Sequence, residues 1–442
     1  MFIPEEIQMR IEPKVLKGFR DFLPPEAAAR KKIVHTLENM FESFGFQPID
    51  TPVLEYTEVL LGKGGGETDK QVYRFLDQGN RDVSMRFDLT VPFARFMGKN
   101  ENQLTIPFKR YHIDKVWRGE NTQRGRYREF TQCDFDIVGT TSASADLEIL
   151  LMMYRSFEAL GIDDIIIKIN HRSVFNRFLK TLSVDEKSTE IMRAIDKIGK
   201  IGPEKVKDQL QEFLSKDSAE AVLSYIQPKA NFLDTLDLIT RLAGGEAEDT
   251  RRLAQLYDGF KVLGIADRIF LDSSIMRGLD YYTGIVYETF FNQLPQIGSV
   301  CSGGRYDNLA SLYTKTELPG VGSSIGLDRL FAALEELGQV TVSCPSADAA
   351  IFCLDEDLTG YYHQMAEKIR GRGIRCDVFY DKRKIGQQFK LAERKNIPVV
   401  LICGDEEKES GTITLKDITS GTSLNKVSFD EAVKLILSVI KK

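Results

Sequence analysis

The stretch Trp117-Arg118-Gly119-Glu120, a five-residue loop, and then Arg126-Tyr127-Arg128-Glu129-Phe130-Thr131-Gln132 decides how the chain is read. Between Lys109 and Arg128 stand seven basic residues (Lys109, Arg110, Lys115, Arg118, Arg124, Arg126, Arg128) against two acidic ones, Asp114 and Glu120, with Tyr111, Trp117 and Tyr127 interleaved. Lys109–Trp117 and Arg128–Val138 alternate as strands, so the charged segment between them is a hairpin loop. On charge alone this is either a solvated hairpin or a cradle for polyphosphate. Guanidinium groups suit the second role because they hold permanent charge and bind phosphate oxygens in pairs. Glu120, two residues past Arg118, falls on the same strand face and can accept from an amine or hold a cation.

Working outward, Pro24 and Pro25 open an amphipathic helix through about Phe44, with Ile33, Leu37, Met40, Phe41 and Phe44 at helical spacing. Gly45 stops it. The prolines of Gly45–Leu54 favour an extended edge segment, Gly64-Gly65-Gly66 reads as a loop, and Val83–Asp88 reads as a strand. From 175 to 265 the pattern becomes helical, with Val206, Leu210, Phe213 and Leu214 on one face and Leu253, Leu256, Tyr257 and Phe260 on another. Strand character returns at Ile285–Phe291, followed by Ser302-Gly303-Gly304 and a helix over Leu327–Glu336. Beyond a linker at Gly338–Pro345, the short apolar strands Ala349–Leu354, Arg375–Tyr380 and Val399–Cys403 alternate with helices, a β-α-β-α-β pattern. Lys368 to Lys395 carries ten basic residues against three acidic, which suits a phosphate backbone as well as a solvated helix face.

Composition bounds the function. The chain has 442 residues, 42% apolar and 28% charged, with a net charge of −6. That is a soluble-globular composition with room for about three domains. No apolar run approaches the 18 or so residues of a membrane helix, and the N-terminus lacks a signal pattern, so the chain reads as cytoplasmic and not membrane-bound. Six scattered cysteines and four histidines (His35, His112, His171, His363) give no zinc-site or disulfide spacing.

Several segments then resemble one family. The 117–132 stretch looks like motif 2 of the class II aminoacyl-tRNA synthetases, Gly45–Leu54 with Pro52 is similar to motif 1, and Gly320-Val321-Gly322-Ser323-Ser324-Ile325-Gly326-Leu327-Asp328-Arg329-Leu330 resembles motif 3. Arg277-Gly278-Leu279-Asp280-Tyr281-Tyr282-Thr283-Gly284 and Ser302-Gly303-Gly304-Arg305-Tyr306-Asp307-Asn308-Leu309 closely resemble the two histidine-specific signatures of the histidyl-tRNA synthetases. The likeness runs from Lys17-Gly18-Phe19-Arg20-Asp21 to the C-terminal domain. Asp88-Leu89-Thr90 stands where many bacterial members carry Glu-Gly-Thr and is closer to the eukaryotic and archaeal form.

The resemblance implies an α+β class II catalytic core, an antiparallel sheet flanked by helices, in two parts (1–174 and 266–340). A helical insertion (175–265) interrupts it and an α/β anticodon-binding domain (346–442) follows. The implied reaction joins ATP and L-histidine into an adenylate, releases pyrophosphate, and acylates histidine tRNA with release of AMP. Arg118 and Arg277 are then expected on the α-phosphate, and Arg126, Phe130 and Arg329 on the rest of ATP, with Glu120 at its amine or at Mg²⁺ held mainly by ATP. Asp88, Thr90 and Gln132 are expected at the histidine ammonium, Asp136 and Tyr282 at the ring, Tyr281 elsewhere on the histidine, and Gly303 and Gly304 where backbone approaches the substrate. A homodimer built on motif 1 is also implied. A silent synthetase-like regulatory subunit of ATP phosphoribosyltransferase is the alternative; Arg118, Arg277, Arg329 and a full C-terminal domain argue for the enzyme. A threonine or proline specificity is disfavoured by Tyr281-Tyr282 and the lack of a zinc-ligand set.

Overall fold

The computed structural model describes residues 11–62, 71–276, 282–340 and 345–440. The triglycine at 64–66 and the signature residues 277–281, Arg277 and Tyr281 among them, lie outside the described residues. The chain falls into two compact units, one within 1–21 and 30–340 and the other within 22–29 and 341–442.

The first unit is built on an eight-stranded sheet. Its order is Gln47–Pro48, Phe108–Trp117, Glu129–Val138, Gly320–Gly326, Cys301–Tyr306, Ile285–Phe291, Ile165–His171 and Ile269–Leu271. The six central strands pair antiparallel and the two edge strands pair parallel. Helices cover one face. On helix Pro24–Ser43 the buried Ile33, Leu37 and Phe41 recur every four residues, and Phe41 meets Phe135 with ring centroids 4.8 Å apart. Strand Glu129–Val138 turns Cys133, Phe135 and Ile137 to that core and Gln132, Asp134 and Asp136 to the other face.

A three-stranded antiparallel sheet, in the order Leu54–Tyr56, Asp82–Met85 and Arg74–Leu76, joins the same unit. The strand expected over Val83–Asp88 ends at Met85, because Arg86 turns its guanidinium inward onto the carbonyls of Thr51 and Lys115. Residues 172–262 form seven helices, where Phe178 stacks on Tyr225 at 4.4 Å and the side chains of Ser215 and Asn231 cap their helices.

The second unit holds a five-stranded sheet. Cys376–Val378, Ala349–Ile351 and Val399–Ile402 run parallel, and Ile413–Asp417 and Ser423–Val427 extend it antiparallel. The sequence pattern does not register this last hairpin, since Ser423–Val427 is mostly exposed and polar. Among the described residues the five cysteines are buried and free, and no helix is long and apolar enough to cross a membrane.

Candidate active site

A cavity of about 330 Å³ opens over the strands Glu129–Val138, Gly320–Gly326 and Cys301–Tyr306, on the face away from helix Pro24–Ser43. Asp88, Thr90, Gln132 and Ser324 form one wall of it. Asp88 is 1% exposed; its Oδ1 accepts the Val91 N–H at 3.0 Å and its Oδ2 has no hydrogen-bond partner. Burial pushes Asp88 up to about 6, against the pull of Arg118 and Arg110. Gln132 donates from Nε2 to Ser324 Oγ at 2.8 Å, leaving Oε1 unpartnered. Two desolvated acceptors therefore line one wall, an arrangement that suits a cation with several N–H donors.

A second wall carries Arg118, Glu120, Arg126, Phe130 and Arg329. Arg118 donates from Nε to the Phe87 carbonyl at 2.8 Å, and its guanidinium lies 5.1 Å from the Phe130 ring centroid. Arg126 pairs with Glu120, which also lies 3.8 Å from Arg118. Arg329 donates to the Ser299 carbonyl at 2.6 Å; burial, followed by the nearby Arg126, lowers its pKa. Three guanidinium groups converge here on Glu120, donors of the kind that hold phosphate oxygens in pairs.

The loop that carries these groups is held from behind. Arg118 N–H bonds the Arg128 carbonyl, and Gln123 and Arg126 close the tip through reciprocal backbone hydrogen bonds. Gly125 sits there at φ +71°, where an added Cβ would lie 3.3 Å from Arg329 Cα. Asp328 accepts from Arg20, Arg30 and the Thr131 N–H at 2.8–3.0 Å, pinning the strand to helix Leu327–Glu336.

Tyr282 and Gly303 line the third side of the cavity. Gly304 does not; it lies under Tyr282, whose ring would stand 2.9 Å from an added Cβ. Asp136, expected at the ring, is not among the lining residues. Its carboxylate is engaged by Arg110 Nη2 and by the Tyr306 hydroxyl, each at 2.6 Å. Gln132 and Asp136 do share a strand face, but four residues of strand separate them by about 13 Å. Sequence reasoning missed Glu288, Tyr287, Ser302 and Ser324 in the lining. A charged residue in the middle of the apolar strand Ile285–Phe291 was the available signal for Glu288. The hard carboxylate oxygens of Glu120 and Glu288 are the cavity's candidate donors for a divalent cation. Among the described residues the acidic–histidine group close enough to share a cation is Asp50, His112 and Asp114, none of which lines the cavity.

Comparison with known proteins places the chain in a family. A family profile described as histidyl-tRNA synthetase matches residues 18–330, and one described as an anticodon-binding domain matches residues 339–438. The chain is 48% identical over 440 residues to a histidine–tRNA ligase of Treponema denticola, covering 96% of this chain and 98% of that one. It is 45% identical to that of Rhodopirellula baltica, covering 98% and 99%. A solved histidyl-tRNA synthetase of a Nostoc species superposes with a TM-score of 0.86 at 32% identity, covering 97% of this chain and 100% of that one. A Bacillus halodurans structure described as an ATP phosphoribosyltransferase regulatory subunit/histidyl-tRNA synthetase shares the fold, with a TM-score of 0.74 at 20% identity, covering 89% and 99%. On its site, its fold and these likenesses, the chain belongs to the histidyl-tRNA synthetase family.

Proposed function

We propose that the protein joins L-histidine to histidine tRNA, first forming histidyl-adenylate from ATP and then acylating the RNA. The observation that carries this is one cavity combining a wall of desolvated acceptors, Asp88 and Gln132, with a wall of cations, Arg118, Arg126 and Arg329. The histidine ammonium sits against Asp88, Thr90 and Gln132, which leaves its carboxylate toward Arg118. The ring lies at Tyr282 and Gly303. Polar partners at both ends reject an apolar competitor, which would leave them buried and unpaired.

ATP takes the cationic wall. Arg118 and Arg277 hold the α-phosphate and gain most when charge builds there in the transition state, while Arg126 and Arg329 bind the outer phosphates and the adenosine side, with Phe130 beneath. Asp136 acts from outside the cavity, fixing Arg110 and Tyr306. Glu120 and Glu288 have the donor chemistry to hold a Mg²⁺ ion, which would supply charge neutralisation to the phosphates of ATP.

The second unit binds the RNA through its basic segment, where Lys384 and Lys390 are exposed and have no ion-pair partner among the described residues. The protein works as a homodimer through the motif 1 region, where Val53, Leu54, Tyr56, Phe75 and Leu76 leave apolar surface exposed.

ATP–pyrophosphate exchange tested with each amino acid decides the specificity. Exchange driven by histidine alone is expected. Exchange driven by another amino acid, or none at all, contradicts the assignment, and the second outcome favours a silent regulator.

A further inference from the structure

Three residues outside the cavity offer ligand atoms to one point. Strand Gln47–Pro48 pairs parallel with Phe108–Trp117, Pro48 opposite Tyr111, and the Ile49 N–H continues the pairing to the Tyr111 carbonyl at 3.0 Å. That register brings Asp50 beside His112, and Asp114, two residues along the strand, shares the His112 face. His112 Nε2 stands 3.6 Å from Asp50 Oδ1 and 3.9 Å from Asp114 Oδ2, and ligand atoms of the three residues lie within 4.8 Å of one another. None of the three lines the active-site cavity.

His112 separates this group from an ordinary acidic surface. Its side chain is 3% exposed, yet neither ring nitrogen has a hydrogen-bond partner. A buried polar atom left without a partner calls for an ion or a water. Burial keeps the imidazole neutral, the form that ligates a metal. Metal bonds of about 2.1 Å set tetrahedral donors about 3.4 Å apart, and both separations from Nε2 exceed that by about half an ångström or less. Asp50, 88% exposed, is free to close the remaining gap and leaves the group open to solvent.

The surroundings hold the donors in place. Arg86 is 0% exposed; it donates from Nη1 to the Thr51 carbonyl at 2.6 Å and from Nε to the Lys115 carbonyl at 3.0 Å, fixing the residues next to Asp50 and Asp114. Its Nη2 pairs with Asp114 Oδ2 at 2.5 Å, and a carboxylate oxygen with two lone pairs can accept there and still ligate. Arg110, the other cation near the ring, is taken up by Asp136. Two carboxylates thus face one uncommitted guanidinium, and a divalent cation meets a net negative site.

We propose that Asp50, His112 and Asp114 bind one divalent transition-metal ion of the zinc type, with water completing its coordination. One imidazole nitrogen beside two carboxylate oxygens suits zinc, cobalt or nickel better than magnesium, which takes oxygen donors. The unfolded chain does not assemble these donors, so the ion stabilises the folded chain and ties the segment after Gln47–Pro48 to strand Phe108–Trp117.

The test is equilibrium dialysis of the untagged, metal-stripped protein against Zn²⁺ at pH 7.5 with millimolar Mg²⁺ present, the bound metal counted by mass spectrometry. A single zinc per chain is expected, together with a visible Co²⁺ absorption that Zn²⁺ abolishes and a rise in melting temperature with added Zn²⁺. His112→Ala and Asp50→Ala should weaken zinc binding by at least the roughly 10–100-fold that loss of an outer-shell partner costs, and should remove the Co²⁺ band. Asp50→Ala alters an exposed side chain, so it decides the matter even if His112→Ala does not fold. No zinc bound by wild type beyond the amount Asp50→Ala retains overturns the proposal. So does displacement of the ion by millimolar Mg²⁺, which would mean a site of oxygen donors alone.

Discussion

Arg110 and Asp136 form an ion pair with Nη2 and Oδ2 2.6 Å apart, and their side chains are 0% and 3% exposed. Neither residue lines the cavity. Arg110 also packs 4.3 Å from the Phe93 ring centroid, and the Tyr306 hydroxyl completes the Asp136 carboxylate. Gly322 has no side chain at the point where Asp136 passes; an added Cβ would stand 1.9 Å from Oδ1. Breaking one partner strands a buried charge. Asp136→Ala is therefore expected to cost about 3–5 kcal/mol of folding stability. Urea unfolding measures it, and a loss under about 1 kcal/mol would mean the pair is not closed in solution.

Asp88 predicts a conflict between stability and binding. Its carboxyl is raised from 3.8 to about 6, so between these values the folded chain keeps a proton that the unfolded chain has released. Stability falls as pH rises through that window. Asp88→Asn, which cannot ionise, should gain on wild type from pH 4 to 6 and then hold a level advantage of up to about 3 kcal/mol. The same variant should bind histidine more weakly. A stability difference that does not change between pH 4 and 7 would contradict the shift.

Arg118 and Arg277 are predicted to act in the chemical step. Arg277→Ala should lower single-turnover adenylate formation by roughly 10²–10³ with histidine affinity little changed, as loss of one transition-state donor does. Arg118→Lys should recover only part of the rate lost by Arg118→Ala, since an ammonium has no planar fork. A wild-type rate in Arg277→Ala removes that residue from the mechanism.

The exposed Lys384 and Lys390 are predicted to act only in the step that needs RNA. Lys384→Glu with Lys390→Glu should reduce tRNA charging while leaving pyrophosphate exchange intact. The salt dependence of tRNA binding should become shallower, by about one unit of slope for each phosphate the protein no longer neutralises. Equal losses in both assays would move these lysines out of the RNA surface.

Dimerisation is checked by light scattering at micromolar concentration, where a particle of twice the 50.1 kDa chain mass is expected. Leu76→Asp with Tyr56→Asp should shift it toward the monomer. A wild-type particle of the single-chain mass refutes the interface.

Much of the fold is legible because its signals are local. The four-residue recurrence on helix Pro24–Ser43 and the alternation along Glu129–Val138 are written in adjacent residues. The motif spacing likewise points to Arg118, Glu120 and Arg126, which the loop Gly119–Gly125 folds into one wall of the cavity. What stays hidden depends on register between distant segments. The Gln132–Ser324 contact joins residues 192 apart in sequence, and one slip of either strand would turn Ser324 to the other face. Asp136 shares its strand face with Gln132, yet its partners Arg110 and Tyr306 come from segments that the spacing within the strand does not reveal. Arg305 sits inside a histidine-specific signature, yet its guanidinium points away from the cavity and holds Asp146 at 2.7 and 2.9 Å. Spacing alone cannot separate a residue that supports the cavity from one that lines it.

The most direct measurement is the charging of deacylated, unfractionated tRNA by the purified protein with ATP, Mg²⁺ and labelled histidine. The account predicts ATP-dependent, alkali-labile histidine on tRNA, at a level that saturates at the histidine-accepting fraction and does not rise when other amino acids are supplied. Labelled ATP and histidine that bind the protein yet give neither adenylate nor charged tRNA would contradict it.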